Sequence, residues 1–394
     1  MAVYLDHAAT TSVRPEVAAF LGESYGGSGN ASSVHQFGQR AKLQLDSARE
    51  RIAAAIGCHG SEVIFTSGGT EANNLAVFGL FEARNRGADR PIILTLPTEH
   101  HAVLEAVDAL EARSGAEVVV VPVGPEGSPN LEWLAQFLDL NGDRVALLCA
   151  MLANNETGVL VDVAAIAEIC KRLQIPVHTD AVAAVGHTTV NFAQLGVATL
   201  AFTGHKLGAP VGIGALIVAR AAKVSPQLRG GNQERGIRPG TQDVLGASAL
   251  ALATEIAVSD LGANRANWEA LRAQLIGGVM NAVPDAILVG ATAESPETAR
   301  LSNIVDFVFP GCAGDSILFL LDSSGVAISN GSACSAGVTS SSHVLTAMGY
   351  SEQDASACVR VSFGADTIEA DIDAFLLALP EAHRRAKLAG FTTP

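Results

Sequence analysis

The sequence predicts an α/β fold with a mostly parallel sheet, and three observations carry that prediction. Seven short apolar runs fall between residues 61 and 220, helical patterns fill the gaps between them, and the composition shifts around residues 225 to 246 before a smaller unit begins. Continuous apolar strands separated by helices imply a sheet covered on both faces.

In chain order the runs are Val63-Ile64-Phe65, Ile92-Ile93-Leu94, Val118 to Val121, Val145 to Leu148, Pro176-Val177-His178, Leu200-Ala201-Phe202 and Gly214 to Val218. A seven-stranded sheet is therefore expected. Between the runs, Glu71 to Arg84 places Leu75, Phe78 and Phe81 on one helical face, and Val163 to Leu173 does the same with Ile166, Ile169 and Cys170. The stretch Arg229-Gly230-Gly231-Asn232-Gln233-Glu234-Arg235-Gly236 is too polar for a core strand and too specific for a linker, so it reads as a functional loop leading into a helix from about 244 to 258. After about 262 the pattern gives a helix, a strand within Ser302 to Phe309, a helix from Gly314 to Leu321 and the Ser/Gly-rich stretch Ser329 to Ser342. A strand at Val359 to Phe363 and a C-terminal helix complete an α+β unit.

Bulk properties narrow the function. The 394 residues, nearly half of them apolar, can bury a large core, and at roughly 100 to 200 residues per domain they suggest two domains. A net charge of -15 without a Lys/Arg cluster argues against nucleic acid as a partner. The first residues lack the basic flank and apolar stretch of a signal peptide, and nowhere do 18 apolar residues run together, which predicts a soluble cytoplasmic protein with no membrane partner. The six cysteines contain no C-x-x-C pair, so neither a disulfide framework nor a metal cluster is indicated.

Chemistry concentrates at predicted strand ends. Thr203-Gly204-His205-Lys206 follows the strand Leu200 to Phe202, and a lysine desolvated among small residues suits Schiff-base formation. Taken alone, Lys206 reads more readily as an exposed structural lysine. His178-Thr179-Asp180 ends a neighbouring strand, where a carboxylate can keep a pyridinium-type cofactor nitrogen protonated or simply cap the strand. Ser67-Gly68-Gly69-Thr70 is a glycine turn opening a helix, the usual place for converging backbone N–H groups to hold a phosphate, though an ordinary strand-to-helix turn looks the same. Thr98-Glu99-His100-His101 puts an imidazole on that edge, either to stack on a flat ring or to cap a helix. Gly331-Ser332-Ala333-Cys334-Ser335 carries a thiol in a small, polar loop, accessible as a nucleophile in contrast to the apolar-flanked Cys149 and Cys170.

Together with Tyr4-Leu5-Asp6-His7-Ala8-Ala9-Thr10-Thr11, Gly29-Asn30-Ala31-Ser32-Ser33-Val34-His35, Ala153-Asn154-Asn155-Glu156-Thr157-Gly158 and Gln233-Glu234-Arg235-Gly236, these motifs resemble in order and spacing the class V aminotransferases, specifically the cysteine desulfurases. The resemblance runs from residue 4 to about 372. It implies a homodimer of pyridoxal-phosphate fold type I, with a large domain at 15–258 and a small domain of 1–14 and 259–394 that carries the cysteine loop at about 329–342.

Carried over position by position, the resemblance makes Lys206 the Schiff-base lysine and proton carrier, sets Asp180 against the cofactor's ring nitrogen and stacks His100 on the ring. Gly69, Thr70, Thr203 and His205 become phosphate ligands, Thr241 reaches the other subunit's phosphate, and Asn155 and Arg360 lie near the cofactor and the substrate carboxylate. L-cysteine is the implied substrate and L-alanine the product, with the sulfur taken by Cys334 as a persulfide. The stretch from Cys334 to His343-Val344-Leu345 is as long as in long-loop desulfurases, which implies delivery to an iron-sulfur scaffold and other acceptor proteins. A selenocysteine lyase, a class V aminotransferase and a non-catalytic scaffold are the alternatives.

Two departures stand out. Where the family has glutamine in Asp-Ala-Val-Gln, this chain has Asp180-Ala181-Val182-Ala183, so the hydrogen bond that the glutamine gives is expected to be absent, with water or the Thr179 hydroxyl as the alternative donor. Arg238-Pro239-Gly240 replaces the commoner Arg-Ser-Gly.

Overall fold

A computed structural model describes residues 2–27, 29–290, 299–331 and 341–390. Its twelve strands are β1 (Val3–Tyr4), β2 (Val63–Thr66), β3 (Ile92–Thr95), β4 (Glu117–Val120), β5 (Val145–Cys149), β6 (Val177–Asp180), β7 (Thr199–Thr203), β8 (Gly214–Val218), β9 (Ile287–Leu288), β10 (Ile304–Val308), β11 (Val326–Ala327) and β12 (Cys358–Ser362). The seven-stranded sheet has the order β2-β8-β7-β6-β5-β3-β4; β8 runs antiparallel to both neighbours and the other pairs are parallel. Strands β2, β3, β5, β6, β7 and β8 are buried along their whole length, which is why the sequence shows apolar runs rather than alternation.

The helices are α1 (Pro15–Ser24), α2 (Gln36–Ile56), α3 (Gly69–Arg84), α4 (His101–Ser114), α5 (Leu131–Asn141), α6 (Val163–Lys171), α7 (Phe192–Leu195), α8 (Val244–Ser259), α9 (Leu261–Ala282), α10 (Gly314–Ser323), α11 (His343–Ala347), α12 (Glu352–Ser356) and α13 (Glu369–Gly390). Helix α3 buries Ala72, Leu75, Ala76, Leu80 and Phe81, while Phe78, expected on that face, is only half-buried. Helix α6 ends at Lys171 rather than Leu173, because Leu173 and Ile175 turn back onto the carbonyl of Cys170. Helix α8 is apolar on all sides and shares one core with Leu45, Ile52 and Ile56 of α2.

Packing changes partner at the α8–α9 junction. Residues 247–257 of α8 belong to the core around the large sheet, whereas Trp268, Leu271 and Leu275 of α9 pack with Phe307, Phe309, Phe363 and Phe375 in a second core. That core lies around the sheet β12-β10-β9, antiparallel throughout, and the parallel pair β1–β11. The N-terminal segment joins it through Leu5, which is fully buried, and Ser362 donates its backbone N–H to the Leu5 carbonyl at 2.8 Å.

The polar stretch at 229–236 is partly structural, a correction to its reading as a functional loop. Glu234 is buried and accepts from the Arg49 guanidinium, from the Phe65 N–H at 2.9 Å and from Gln242 at 3.2 Å, tying the loop to α2 and β2. This pin requires positive φ at Glu234 (50°) and Arg235 (60°), a costly conformation for residues with a Cβ.

Candidate active site

The carboxyl ends of the parallel strands open onto one cavity of about 300 Å³, the place where open α/β sheets bind ligands. Asp180 ends β6, Thr203 ends β7, and the turns after β2 and β3 deliver Gly69 and His100. From the other side, Ala8, Ala9, Gly331 and Arg360 complete the wall. Of the residues singled out in the sequence, Gly69, Thr70, His100, Asn155, Asp180, Thr203, His205, Lys206 and Arg360 all line this cavity. Thr241 does not; it is exposed on the loop before α8. Cys334 lies outside the described residues.

Lys206 is not the exposed lysine that its sequence context left open. The short helical turn Gly204–Lys206 brings its Nζ to the carbonyl oxygens of Ala8 and Ala9, the latter at 2.8 Å. Burial, and after it the charge of Lys206, lowers the pKa of neighbouring His205 to about 4. The wall near Lys206 thus comes from the far N-terminus, a contact that no local pattern signals.

Both sequence readings of His100 hold at once. It caps α4, its Nδ1 accepting the Ala102 N–H at 3.0 Å, and it also faces the cavity. An Nδ1 that accepts an N–H carries no proton, and burial lowers the ring's pKa, so the neutral ring has its hydrogen on Nε2. Beside it, Glu99 is fully buried, with Oε1 accepting the Met151 N–H at 2.5 Å and Oε2 without a partner. Burial and the charge of Asp180 push this carboxyl up to about 8.

Asp180 accepts the Asn73 amide at 2.6 Å on Oδ2 and the Val182 N–H at 2.8 Å on Oδ1. Thr179, on the alternate face of β6, is buried with its hydroxyl unpartnered and does not line the cavity, so it is not the substitute donor at Ala183. The turn after β5 is built by Asn154, whose Oδ1 accepts the N–H groups of Glu156 and Thr157, both at 2.9 Å, leaving Asn155 at the cavity. Arg360, 3 % exposed, donates to the Asn155 carbonyl at 2.9 Å and to Asp6 at 2.7 Å, while its Nε has no partner.

Helix α3 opens at Gly69 with its N-terminus on the cavity. A Cβ at Gly69 would come within 2.7 Å of the Val182 side chain, so only glycine lets this turn pack against the end of β6. Glu71 stabilises the turn by accepting the Ser67 N–H at 2.6 Å and pairing with Arg238 at 2.7 Å. Pro239 leaves that ion pair intact. Residues that sequence reasoning missed are Ala8, Ala9, Asn73, Met151, Val182 and Gly331; for Asn73, a polar amide on a buried helical face was the available signal.

A doubly faced α/β sheet with a lysine and a carboxylate at adjacent strand ends is the arrangement of a cofactor-dependent transferase. The class V aminotransferase family matches residues 3–375, and the chain belongs to it. It is 42 % identical over 388 residues to the IscS-like cysteine desulfurase of Mycobacterium tuberculosis, covering 98 % of this chain and 97 % of that one. Among solved structures, a NifS-like protein superposes with a TM-score of 0.87 at 33 % identity, covering 97 % of this chain and 99 % of its own. A structure titled SspA in complex with cysteine superposes with a TM-score of 0.78 at 28 % identity, covering 93 % and 100 %.

Proposed function

We propose that this protein is a cysteine desulfurase, converting L-cysteine to L-alanine and passing the sulfur to Cys334 as a persulfide for iron-sulfur cluster assembly and other acceptors. The observation that carries the reading is the convergence of Lys206, Asp180, His100 and Arg360 on one cavity, in a chain related over nearly its whole length to desulfurases. The bound cysteine of the SspA structure supports the substrate.

The family is pyridoxal-phosphate dependent, and the cavity suits that cofactor in this chain. The glycine-only turn at the N-terminus of α3 leaves backbone N–H groups for a phosphate, with Gly69, Thr70, Thr203 and His205 as ligands. Asp180 supplies the carboxylate for the ring nitrogen and His100 a neutral ring to lie against it. When bound, pyridoxal 5'-phosphate supplies an aldehyde for a primary amine and a cationic ring that withdraws electrons from the substrate's α-carbon.

Lys206 is the primary amine of the site and moves the α-proton. Arg360, with an unpartnered Nε and Asn155 beside it, takes the substrate carboxylate. The Cys334 thiolate forms the S–S bond as the substrate's C–S bond breaks, and a proton replaces sulfur on the carbon. Thiol and cysteine become persulfide and alanine, so atoms and electrons balance. Burial pushes the thiols of Cys58 and Cys170 up to about 12 and Cys312 to about 11, and raises Cys149 and Cys358 as well, so none of the five described cysteines is a ready nucleophile.

The separate cores support domains at 15–258 and at 1–14 with 259–394. Large apolar side chains exposed between residues 25 and 43, Tyr25, Val34, Phe37 and Leu43, support a homodimer, in which the outward-facing Thr241 serves the second copy's phosphate site. Free cysteines support the reducing cytoplasm.

Incubation of the purified protein with L-cysteine, with alanine and sulfide quantified with and without reductant, tests this function. Alanine is expected, with sulfide released stoichiometrically when reductant is present. A keto acid in place of alanine overturns the reading in favour of an aminotransferase.

A further inference from the structure

From Asp180 and Asn73 at the cavity wall, a chain of polar side chains runs into the interior. The amide of Asn73, on α3, donates to Asp180 at 2.6 Å. Its oxygen meets Nε2 of His178 at 3.0 Å, and Nδ1 of His178 meets the hydroxyl of Thr199, on β7, at 2.9 Å. All four residues are at most 4 % exposed, and His178 and Thr199 are completely buried.

The direction of these hydrogen bonds follows from the chemistry of each group. An ionised carboxylate only accepts, so Asn73 must turn its NH₂ toward Asp180 and its oxygen toward His178. That oxygen needs a donor, which puts the hydrogen of His178 on Nε2 and leaves Nδ1 to accept from the Thr199 hydroxyl. Burial lowers the pKa of His178 to about 3, so the ring is neutral and carries one hydrogen, as this arrangement requires. Reversing any link reverses them all: with hydrogen on Nδ1, the Asn73 amide turns to satisfy Nε2 and presents its oxygen to Asp180, a contact that only a protonated Asp180 can satisfy.

We propose that Asn73, His178 and Thr199 are positioning residues that act as a one-way relay, fixing a donor on Asp180 and so holding it as the anion that the cofactor's ring nitrogen needs. The inference rests on the pyridoxal-phosphate reading above; Asn73 borders the cavity, whereas His178 and Thr199 lie outside its wall and act only through Asn73. The ionisable groups facing Asp180 are His178 on its own strand, Glu99 and His100 from the turn before α4, and Lys206 beyond β7. The relay is the element among them that sets hydrogen-bond direction without adding charge.

The test measures retention of pyridoxal 5'-phosphate by the holoenzyme against pH, by absorption after equilibrium dialysis. Asn73→Leu should weaken retention about tenfold at neutral pH and move the acidic limb of the curve up by about one pH unit. His178→Phe should act in the same direction by about threefold, Thr199→Val by less, and His178→Gln, whose amide can supply the donor, should return toward the parent. In an Asp180→Asn background, Asn73→Leu should add little, because the charge it serves is gone. Melting curves identify any variant that does not fold; if Asn73→Leu is one, His178→Phe and Thr199→Val carry the comparison.

Acidic limbs that overlay the parent in folded variants overturn the relay, as does an Asn73→Leu effect of undiminished size in the Asp180→Asn background. A parent protein that takes up no pyridoxal 5'-phosphate sinks the cofactor reading and the relay with it. A parent that binds it, with variants that match, sinks the relay alone.

Discussion

Asp180 and Asp306 are carboxylic acids buried in two different sheets, 4 % and 0 % exposed, and their surroundings could hardly differ more. Asp180 ends β6 and receives two donors. Asp306 lies in the middle of β10, in register with Arg360 across the β10–β12 pair, yet neither of its side-chain oxygens has a partner; the Nη1 and Nη2 groups of Arg360 donate to the Asn155 carbonyl and to Asp6 instead. Burial and the charge of Glu156 raise the pKa of Asp306 well above the carboxylate range, which favours its neutral form. A nearby arginine does not by itself favour the anion of a buried acid when its donors point elsewhere.

The sharpest break in this comparison lies beside Asp180. Lys206→Ala should cut alanine formation by at least about 10³-fold, since the one side-chain amine that the described residues bring to the cavity wall is lost, and alanine production at the parent rate would remove the site assignment altogether. Next, Asp180→Asn should lower kcat/KM by about 10² to 10³, the scale of removing a preorganised electrostatic partner, whereas Asp306→Asn should change it less than about threefold. Equal losses in steady-state assays would erase the distinction between the two acids.

Glu234 extends the comparison to a third buried acid rich in donors. Replacing it by alanine strands the Arg49 guanidinium and the Phe65 N–H, and should destabilise the fold by about 3 kcal/mol in urea denaturation. The smallest effect is a slope. Asp306 keeps its proton in the folded state while the unfolded chain ionises at about pH 4. Its contribution to stability is therefore complete below that pH and is lost as pH rises toward the folded value. Asp306→Asn should flatten the fall in stability above about pH 4 by on the order of 1 kcal/mol per unit, and parallel melting curves for parent and variant would remove Asp306 as the source of that slope.

The same contrast explains what the sequence could disclose. Six of the seven strands were legible because each is wholly buried and writes its apolar run into the chain, and the edge strand β4, partly exposed, was legible from its valine run alone. Strands β1, β9 and β11 were not: two residues are too short to show alternation, and they exist through pairing with distant partners. Lys206, Asp180 and His100 were legible because each follows such a run. Strand β6 ends at Asp180, as the sequence led one to expect, because Thr179 and Asp180 pair with Leu200 and Ala201 of β7. The carbonyls of Ala8 and Ala9 and the amide of Asn73 act through the main chain or from an interior face, which residue type alone does not announce.

The ion pair between Asp6 and Arg360 joins positions 354 residues apart, and β1 finds its partner only at Val326–Ala327. On the ribosome this imposes an order of events. The large sheet, with Lys206 and Asp180, leaves the exit tunnel well before residue 360 does, while the first dozen residues wait with Leu5 still in water. The cavity therefore closes at the end of translation, with its earliest-made and latest-made walls meeting last. A fusion at the N-terminus would weigh on this final step and leave the sheet to assemble undisturbed.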